Sequence, residues 1–345
     1  MTGEIWVLGA SGRIGRAVAA RLRANDANVV LVGRNPDALP GKAVVIADGA
    51  GQMAARIAER RPAVVVNTMG GYAGTAVPLA RACLPAGHYL DLAADLTAIP
   101  ALLALHDEAA AAGRTLITGA GFGVLAGEAV VVELCRDRPR PARVRVDALS
   151  SVALEAGSMG EAFAASIVDV ITTGGRQYRN GMLVKAALGG DVRTHALPDG
   201  QTVRSASAPS GELVAAQRAS GAPDVTVTTA LAPTAPGARL ALPALAALLS
   251  VPAVRRFAVR RLARVTMKAT PRPRTHSWGH AVVTWPDGSS REGWLRTGDG
   301  MDFTADVATE TALRLARGEA PPGAYTPAQA FGTDLATAAG AVLLT

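Results

Sequence analysis

Residues 5–15 read IWVLGASGRIG, four apolar residues followed at once by Gly9, Gly12 and Gly15. In a strand-to-helix turn, the first glycine permits the tight bend, the second lets the backbone approach a pyrophosphate, and the third lets the helix pack on the strand. The N-terminus of the following helix adds unpaired N–H groups and a positive dipole end. The stretch therefore predicts a dinucleotide-binding turn, with contacts from Gly9, Ala10, Ser11, Gly12, Arg13, Ile14 and Gly15.

Around this turn, the first third of the chain alternates short β-branched apolar runs with Ala-rich helical patterns. Such alternation is typical of a parallel sheet covered by helices, with right-handed connections. It predicts a doubly wound parallel Rossmann sheet, followed by a second, mixed α/β (α+β) domain. The predicted strands are 4–9, 28–32, 43–47, 63–67, 88–92 and 115–118, and the predicted helices are 13–24, 51–60, 75–85, 99–112 and 125–136.

The residue after the second strand distinguishes the two common dinucleotides. A domain that binds NAD usually carries Asp or Glu there, whereas this chain has Arg34 in the run LVGRN. A guanidinium matches a ribose 2′-phosphate in charge and geometry, so the predicted cofactor is NADPH/NADP+; the alternative is a solvated surface arginine. The other predicted cofactor contacts are Asn35, Asp48, Asn67, Thr68, Met69, Gly70, Asp91, Gly121 and Phe122.

Composition limits the class of protein. A length of 345 residues with 49% apolar residues predicts two globular domains. Two cysteines are too few for a disulfide framework. The first residues run directly into an apolar strand without a secretory leader pattern, so a cytoplasmic location is expected. The longest apolar stretch, 238–250, is interrupted by Pro243 and is shorter than the ~18 residues of a membrane span.

A Pro- and Arg-rich joint, DRPRPAR at 137–143, marks the expected end of the first domain. Strand and helix patterns beyond it are mixed, and a WPDG turn joins two predicted strands at 275–285 and 289–297. We expect 1–138 to form the NADP-binding Rossmann domain, 139–322 a domain for substrate binding and dimerisation, and 323–345 a C-terminal return that packs on the Rossmann domain.

Five stretches together resemble the saccharopine dehydrogenase-like reductases: GASGRIG, LVGRNPDAL, VVVNTMGGYAGTAVPLARACLPAGHYLDLAADL, HDEAAAAGRTLITGAGFG and GAYTPAQAFG. The similarity covers residues 3–135 and recurs at 323–332. It implies a Rossmann domain, a mixed second domain inserted before a C-terminal return, and reduction with NADPH. The family includes saccharopine reductases and trans-acting enoyl reductases, so the resemblance implies no single substrate.

The loop after the sixth strand departs from the family pattern. Related sequences commonly read GFDVVPSD, whereas residues 121–128 read GFGVLAGE, with Gly123 in place of Asp and Ala126 in place of Pro. Acid–base roles of that loop in the family therefore do not transfer to this chain. Gly121 and Phe122 are still expected beside the nicotinamide.

Hydride transfer needs little from a protein beyond positioning the acceptor carbon and supplying a proton or a polarising donor. Tyr72 follows the fourth predicted strand and Asp95 follows the fifth, so both can face one crevice. Each is a candidate catalytic residue, as proton donor or as the group that orients the substrate. Asp91 has a second interpretation as a residue that caps a helix or tethers a loop.

No metal site is predicted. His276 and His280 are four residues apart, but a strand would place them on one face of a sheet without the glutamate of a helical zinc site. The sequence also has no GxSxG nucleophile turn and no convincing Cys–His pair for covalent catalysis.

The net charge of +7 is concentrated in one segment. Between Val225 and Pro286 there is no Asp or Glu, and nine Lys and Arg residues give +9, so the rest of the chain carries 7 − 9 = −2. The run VPAVRRFAVRRLARV predicts a basic amphipathic helix. The 251–274 segment could bind an acidic partner such as an acyl carrier, or an anionic membrane surface; alternatively, it packs at a dimer interface or covers the substrate pocket. A nucleic-acid partner is not expected, because the segment has no aromatic stacking platform.

The sequence thus predicts a cytoplasmic, homodimeric, NADPH-dependent oxidoreductase that reduces a C=N or C=C bond of a small-molecule or carrier-linked substrate. The alternative from another class is a non-catalytic NADPH-binding sensor or assembly protein. A proton donor beside the nicotinamide favours the reductase, whereas a sealed apolar crevice favours the sensor.

Overall fold

The computed structural model describes residues 3–39 and 44–345. The chain divides into two compact units, which we name the first unit (Met1–Leu125 and Met301–Gly340) and the second unit (Ala126–Gly300 and Ala341–Thr345). Each unit therefore contains two separate segments of sequence.

Elements are numbered in chain order. The strands are β1 (Ile5–Leu8), β2 (Val29–Gly33), β3 (Val44–Ile46), β4 (Val64–Asn67), β5 (His88–Asp91), β6 (Thr115–Ile117), β7 (Arg143–Leu149), β8 (Gly157–Ser158), β9 (Gly175–Arg179), β10 (Met182–Ala186), β11 (Arg193–Ala196), β12 (Thr202–Ser207), β13 (Asp224–Thr229), β14 (Thr266–Met267), β15 (Ser277–Thr284), β16 (Ser290–Thr297), β17 (Gly323–Tyr325) and β18 (Val342–Leu344). The α-helices are α1 (Arg13–Ala24), α2 (Gly49–Arg60), α3 (Tyr72–Cys83), α4 (Ala98–Leu103), α5 (His106–Ala111), α6 (Phe122–Cys135), α7 (Glu161–Thr173), α8 (Glu212–Ser220), α9 (Pro236–Leu249), α10 (Pro252–Ala263), α11 (Gly300–Ala316), α12 (Pro327–Phe331) and α13 (Asp334–Ala338), and a 3-10 helix covers Pro36–Ala38.

The first unit is a parallel sheet in the order β17-β6-β5-β4-β1-β2-β3. The order reverses at β1 and β4, which is the topological switch point where doubly wound sheets bind ligands at the carboxyl ends of their strands. The central strands β1, β2 and β4 are buried along their whole length. Their continuous apolar sequence reflects helices on both faces of the sheet. The predicted doubly wound fold is confirmed.

One side of this sheet forms a large apolar core. Trp6, Leu8, Val65 and Tyr89 from the strands lie in one cluster with residues of the covering helices, such as Leu79 of α3. Fully burying a large apolar side chain stabilises a fold by about 1.5–3 kcal/mol. This core holds the strand ends, and therefore the loops that follow them, in fixed positions.

The second unit is a mixed sheet in the order β10-β9-β13-β7-β15-β16-β18, with β12 also paired to β13 and β11 to β12. Strands β7 and β13 run parallel, and the other pairs are antiparallel. Alternate residues of β16 are buried, the pattern of a sheet with one more open face. The predicted mixed second domain is confirmed.

A helical layer of the second unit consists of α7, α9 and α10. Ala164 and Val168 of α7 form a buried cluster with Leu249 and Val259. Among the described residues, no single helix has the length and apolar character to span a membrane. Ala241–Leu249 and Pro252–Ala263 meet that criterion only when taken together, across a bend of 106°.

The observed division of the chain corrects the predicted boundaries at 138 and 323. Helix α11 belongs almost entirely to the first unit, where Arg21 of α1 pairs with Asp306 at 2.5 Å. The last residues do not stay in the first unit, because β18 pairs with β16 of the second sheet. Residues 1–2 and 40–43, including Ala43 of the predicted third strand, lie outside the described residues.

Candidate cofactor and active site

The glycine turn lies between β1 and α1, at the switch point of the first sheet. Gly9 has φ +77°, a conformation that other residues rarely adopt, and its N–H donates to Val32 O at 3.1 Å. A Cβ on Gly15 would lie 2.3 Å from Gly9 O. The turn is therefore compact enough that a side chain at Gly15 would displace the backbone.

The N-terminus of α1 presents polar backbone to this turn. No described side chain caps the helix, and its first turn carries no acidic residue. Ser11 and Gly12 are exposed, and Arg13 and Ile14 are half-buried. An uncapped helix N-terminus with accessible backbone binds phosphate groups. Ala10 and Gly15 are buried and form the inner side of the turn.

Arg34 and Asp48 follow β2 and β3 at the same end of the sheet. Arg34 Nε lies 3.9 Å from Asp48 Oδ1, and the two side chains are 75% and 72% exposed. An exposed pair at this distance contributes little to stability, so the guanidinium is available to an incoming anion. The side chain of the neighbouring Asn35 accepts the N–H of Asp37 at 3.0 Å, so its oxygen serves the 3-10 turn.

The structure corrects the predicted role of Asn67. Its side chain is fully buried at the end of β4, where Nδ2 donates to the Tyr89 hydroxyl at 3.0 Å and Oδ1 accepts the N–H of Met69 at 3.1 Å. A side chain without solvent access cannot reach a cofactor. Asn67 instead shapes the loop in which half-buried Thr68, Met69 and Gly70 follow the strand.

That loop is also tied to the glycine turn. Thr68 Oγ1 donates to Leu8 O at 2.7 Å, which joins the ends of β4 and β1. A Cβ on Gly9 would lie 3.1 Å from Met69 Cα. The loop and the turn therefore form one surface, and cofactor contacts of Thr68, Met69 and Gly70 stay a prediction.

Asp91 is corrected in the same way, and its second interpretation as a loop tether holds. The side chain is fully buried, and Oδ1 accepts hydrogen bonds from Ala93 N–H at 3.1 Å, Thr118 Oγ1 at 2.8 Å and Gly119 N–H at 3.2 Å. Burial raises the pKa of Asp91 to about 6, although these donors and the Tyr89 hydroxyl lower it in part. Asp91 holds the loops after β5 and β6 together.

The structure brings the two catalytic candidates to the same region. Tyr72 begins α3 and is half-buried, and burial together with the charges of Asp91 and Asp95 raises its pKa far above the usual value. Its hydroxyl therefore stays protonated at neutral pH and can donate a hydrogen bond. Asp95 is half-buried, and its Oδ1 accepts Thr97 N–H at 3.0 Å and Ala98 N–H at 2.7 Å at the start of α4.

Phe122 differs from its predicted place beside the nicotinamide. The side chain is 5% exposed and lies edge-to-face against Phe303 of α11, with ring centroids 6.3 Å apart. Its backbone N–H donates to Thr304 Oγ1 at 3.1 Å. A Cβ on the preceding Gly121 would lie 2.9 Å from Thr304 Cγ2. This segment is therefore anchored to α11, with the Phe122 ring inside the first unit.

Sequence reasoning missed a buried polar network in the second unit. Asp147 Oδ2 accepts from Arg145 Nη2 at 2.8 Å and lies 2.7 Å from His280 Nδ1, while Thr228 Oγ1 donates to Asp147 Oδ1 at 2.6 Å. His195 Nε2 lies 3.8 Å from Asp147 Oδ1. Asp147, His195 and His280 could together hold a metal ion by distance, but their atoms are engaged in hydrogen bonds, and a cationic Arg145 disfavours a second cation there.

The second unit also contains a basic cavity of about 540 Å³ that was not predicted. Its arginines come from positions far apart in the sequence, so no local sequence pattern predicts the cavity. They are Arg143, Arg145, Arg176, Arg179 and Arg193.

The turn, the helix N-terminus and Arg34 fit NADP(H): a tight cradle that a Cβ would fill, accessible backbone for the pyrophosphate, and an exposed guanidinium for the 2′-phosphate. Fold and site define an NADP(H)-binding domain. Residues 5–117 match the family described as saccharopine dehydrogenase NADP binding domain. The match covers the nucleotide-binding part of the chain, about a third of its length.

Among solved structures, the apo saccharopine dehydrogenase (L-Glu forming) of Saccharomyces cerevisiae matches with a TM-score of 0.61 and 12% identity, covering 99% of this chain and 100% of that chain. At this identity the match shows the shared fold. A meso-diaminopimelate dehydrogenase mutant of Clostridium tetani matches with a TM-score of 0.47 and 14% identity, covering 96% of this chain and 95% of that chain. No curated protein sequence matches the chain.

Proposed function

We propose that the chain is an oxidoreductase that reduces a C=N or C=C bond of a small-molecule or carrier-linked substrate with NADPH. The observation that carries the proposal is the position of Tyr72 and Asp95 at the carboxyl ends of β4 and β5, next to the loop 68–70 that lines the predicted nicotinamide side. Both side chains are polar and partly accessible, which favours a reductase over a sensor with a sealed apolar crevice.

The first unit would hold the dinucleotide through residues 9–15 at the pyrophosphate and Arg34 at the 2′-phosphate. When bound, NADPH supplies a hydride equivalent from C4 of the nicotinamide. The protein's own task is to orient the acceptor carbon and to provide a proton to the neighbouring nitrogen or carbon.

Tyr72 is the favoured candidate for the first part of that task, orienting the acceptor. Burial, together with the charges of Asp91 and Asp95, raises the pKa of Tyr72, so the hydroxyl stays protonated and can donate a hydrogen bond to a substrate. A donor with so high a pKa polarises an acceptor more effectively than it releases a proton. We therefore assign Tyr72 to orienting and polarising the substrate, with the proton delivered through solvent or by the substrate itself.

Asp95 is the weaker candidate because its Oδ1 already accepts two backbone N–H groups at the start of α4. A carboxylate in this position accepts hydrogen bonds from the otherwise unpaired N–H groups of the first helical turn. The other carboxylate oxygen of Asp95, Oδ2, remains for contact with a cationic group, such as the protonated amine formed when an imine is reduced.

The test is NADPH oxidation, measured with panels of imines and enoyl thioesters, for the wild type, Tyr72→Phe and Asp95→Asn. We expect one panel to be reduced, with kcat lowered about 100-fold in Tyr72→Phe while the Kd for NADPH stays unchanged. Arg56→Ala, an exposed change on α2, is the control and should have no effect.

Tight NADPH binding without turnover of either panel would contradict the reductase and favour the sensor or assembly protein. Unchanged kcat in Tyr72→Phe with an active wild type would exclude the role of Tyr72 while leaving the reductase intact. Homodimerisation and a cytoplasmic location stay predictions, and sedimentation of the purified chain tests the first of them.

A further inference from the structure

Helices α9 and α10 present an exposed face that combines apolar and basic side chains. Phe257, near the middle of α10, is 71% exposed, and Leu248 of α9 is 55% exposed. Val251, in the link between the helices, is 48% exposed, and Leu245 is 39% exposed. Four large apolar side chains this accessible, on two successive helices and the link between them, favour a surface that meets another apolar phase.

Basic side chains surround the exposed aromatic ring. Arg260, Arg261 and Arg264 follow Phe257 at spacings of three, four and seven residues, so they share its side of the helix. All three are exposed, as is Arg256. Within the described part of the chain, none of these four arginines forms an ion pair. We name Leu245, Leu248, Val251, Phe257 and these four arginines the α9–α10 face.

The opposite side of α10 explains why this face points outward. Val259 and Leu262 pack in the cluster that contains Val168 of α7. Arg255, also turned toward α7, forms an ion pair with Asp169. The helix pair is therefore held on the second unit by its own apolar side, and the α9–α10 face is left for another binding partner.

Charge selects the partner. No Asp or Glu occurs between residues 225 and 286, so the face carries uncompensated positive charge within its own sequence. Exposed arginines beside exposed aromatic and aliphatic side chains are the composition of a helix that lies in an anionic membrane interface, with the apolar side chains inserted at the headgroup boundary. A protein partner would need an acidic rim matched to the arginine positions, whereas an anionic bilayer supplies negative charge in every orientation.

We propose that the α9–α10 face binds the surface of membranes rich in anionic phospholipid. The two helices are separated by a bend of 106°, so they do not form one straight membrane-spanning helix. The proposal rests on the second unit alone and is independent of the proposed reductase activity.

The test is co-sedimentation of the full chain with vesicles of phosphatidylglycerol and phosphatidylcholine in equal parts, and with pure phosphatidylcholine. We expect binding to the anionic vesicles only, weakened about tenfold by Phe257→Ser and by more than tenfold in Arg260→Glu/Arg264→Glu. Both changes are on exposed positions, and NADPH titration checks that the first unit is intact.

The matched control is Arg143→Glu/Arg291→Glu, which changes the net charge by the same amount at exposed positions of the second sheet. It should keep most of the binding. Equal loss in this control would overturn the proposal by showing a general charge effect. Equal binding to pure phosphatidylcholine would also overturn it. Failure to bind either vesicle would overturn it as well and leave the face to an acidic protein.

Discussion

Asp91 in the first unit and Asp147 in the second are both fully buried carboxyl groups, yet their pKa values move in opposite directions. Burial raises the pKa of Asp91 to about 6, because its hydrogen-bond donors are neutral backbone and hydroxyl groups. Burial acts on Asp147 too, but His280 and the cation of Arg145 outweigh it and lower that pKa to about 2. Neutral donors satisfy the geometry of a buried carboxylate, whereas a cationic partner also stabilises its charge.

The difference separates two ways to use a buried acid. In the first unit, Asp91 fixes loops around a ligand site while remaining near its protonation midpoint. In the second unit, Asp147 is the ionised centre of a network that joins β7, β13 and β15. The arrangement around Asp91 tolerates protonation of the carboxylate, whereas the network around Asp147 depends on its negative charge.

Replacement of Asp147 tests this dependence most strongly. We expect Asp147→Ala to lower the free energy of unfolding by about 3–5 kcal/mol, because Arg145 and the buried His280 lose their common partner. Urea denaturation at neutral pH measures the change. Asp224→Ala is the control, since Asp224 pairs with the exposed Arg179 at 3.2 Å and should contribute about 1 kcal/mol or less. If Asp147→Ala and Asp224→Ala lowered the free energy of unfolding equally, the buried network would be no more important for stability than the exposed ion pair.

The pH dependence of stability tests the Asp91 side. Since the folded pKa is raised above the unfolded value, the favourable contribution is present below about pH 4 and is lost as the pH rises through about 6. The expected loss across this window is about 3 kcal/mol. Denaturation of the wild type and Asp91→Asn at several pH values measures it, and the variant should lack this slope. A parallel pH profile in both proteins would contradict the assignment to Asp91.

The preference for NADPH over NADH gives the smallest expected effect. Its test shows whether the first unit alone binds the 2′-phosphate. Arg34→Ala should raise the Kd for NADPH about 30-fold, or about 2 kcal/mol, and leave the Kd for NADH unchanged, because only the 2′-phosphate loses a charged hydrogen bond. Arg143→Ala, in the basic cavity of the second unit, should change neither value. Fluorescence titration measures both. A loss of NADPH affinity in Arg143→Ala would show that the second unit contributes to the phosphate site.

The first sheet was predictable from sequence to within one or two residues at most strand ends. Strands buried on both faces, such as Val64–Asn67, consist of apolar β-branched residues bounded by turns, and that pattern is readable. Strands β9 and β10 of the second sheet were missed, because their sequences GRQYR and MLVKA are largely accessible and carry no clear alternation. Strand β10 lies at the edge of the sheet and pairs with β9 across a short turn, while β9 pairs on its other side with β13.

The candidate site was predictable in position but not in side-chain direction. The glycine turn and Arg34 follow from local spacing. Asn67 and Asp91 end their strands where ligand contacts are common, yet both turn inward to Tyr89. The network of Asp147 escaped prediction because its members come from separate strands, brought together by the register that pairs Asp147 with His280.

The late position of β17 in the chain has a consequence for synthesis on the ribosome. Strand β6 pairs with β5 on one side and with β17 on the other. Until residues 323–325 emerge, the nascent first sheet has β6 as an open edge with unpaired backbone groups. Open edges of parallel sheets are sites of intermolecular pairing. Premature termination between residues 126 and 300 would therefore release an aggregation-prone fragment, even though strands β1 to β6 had already been made.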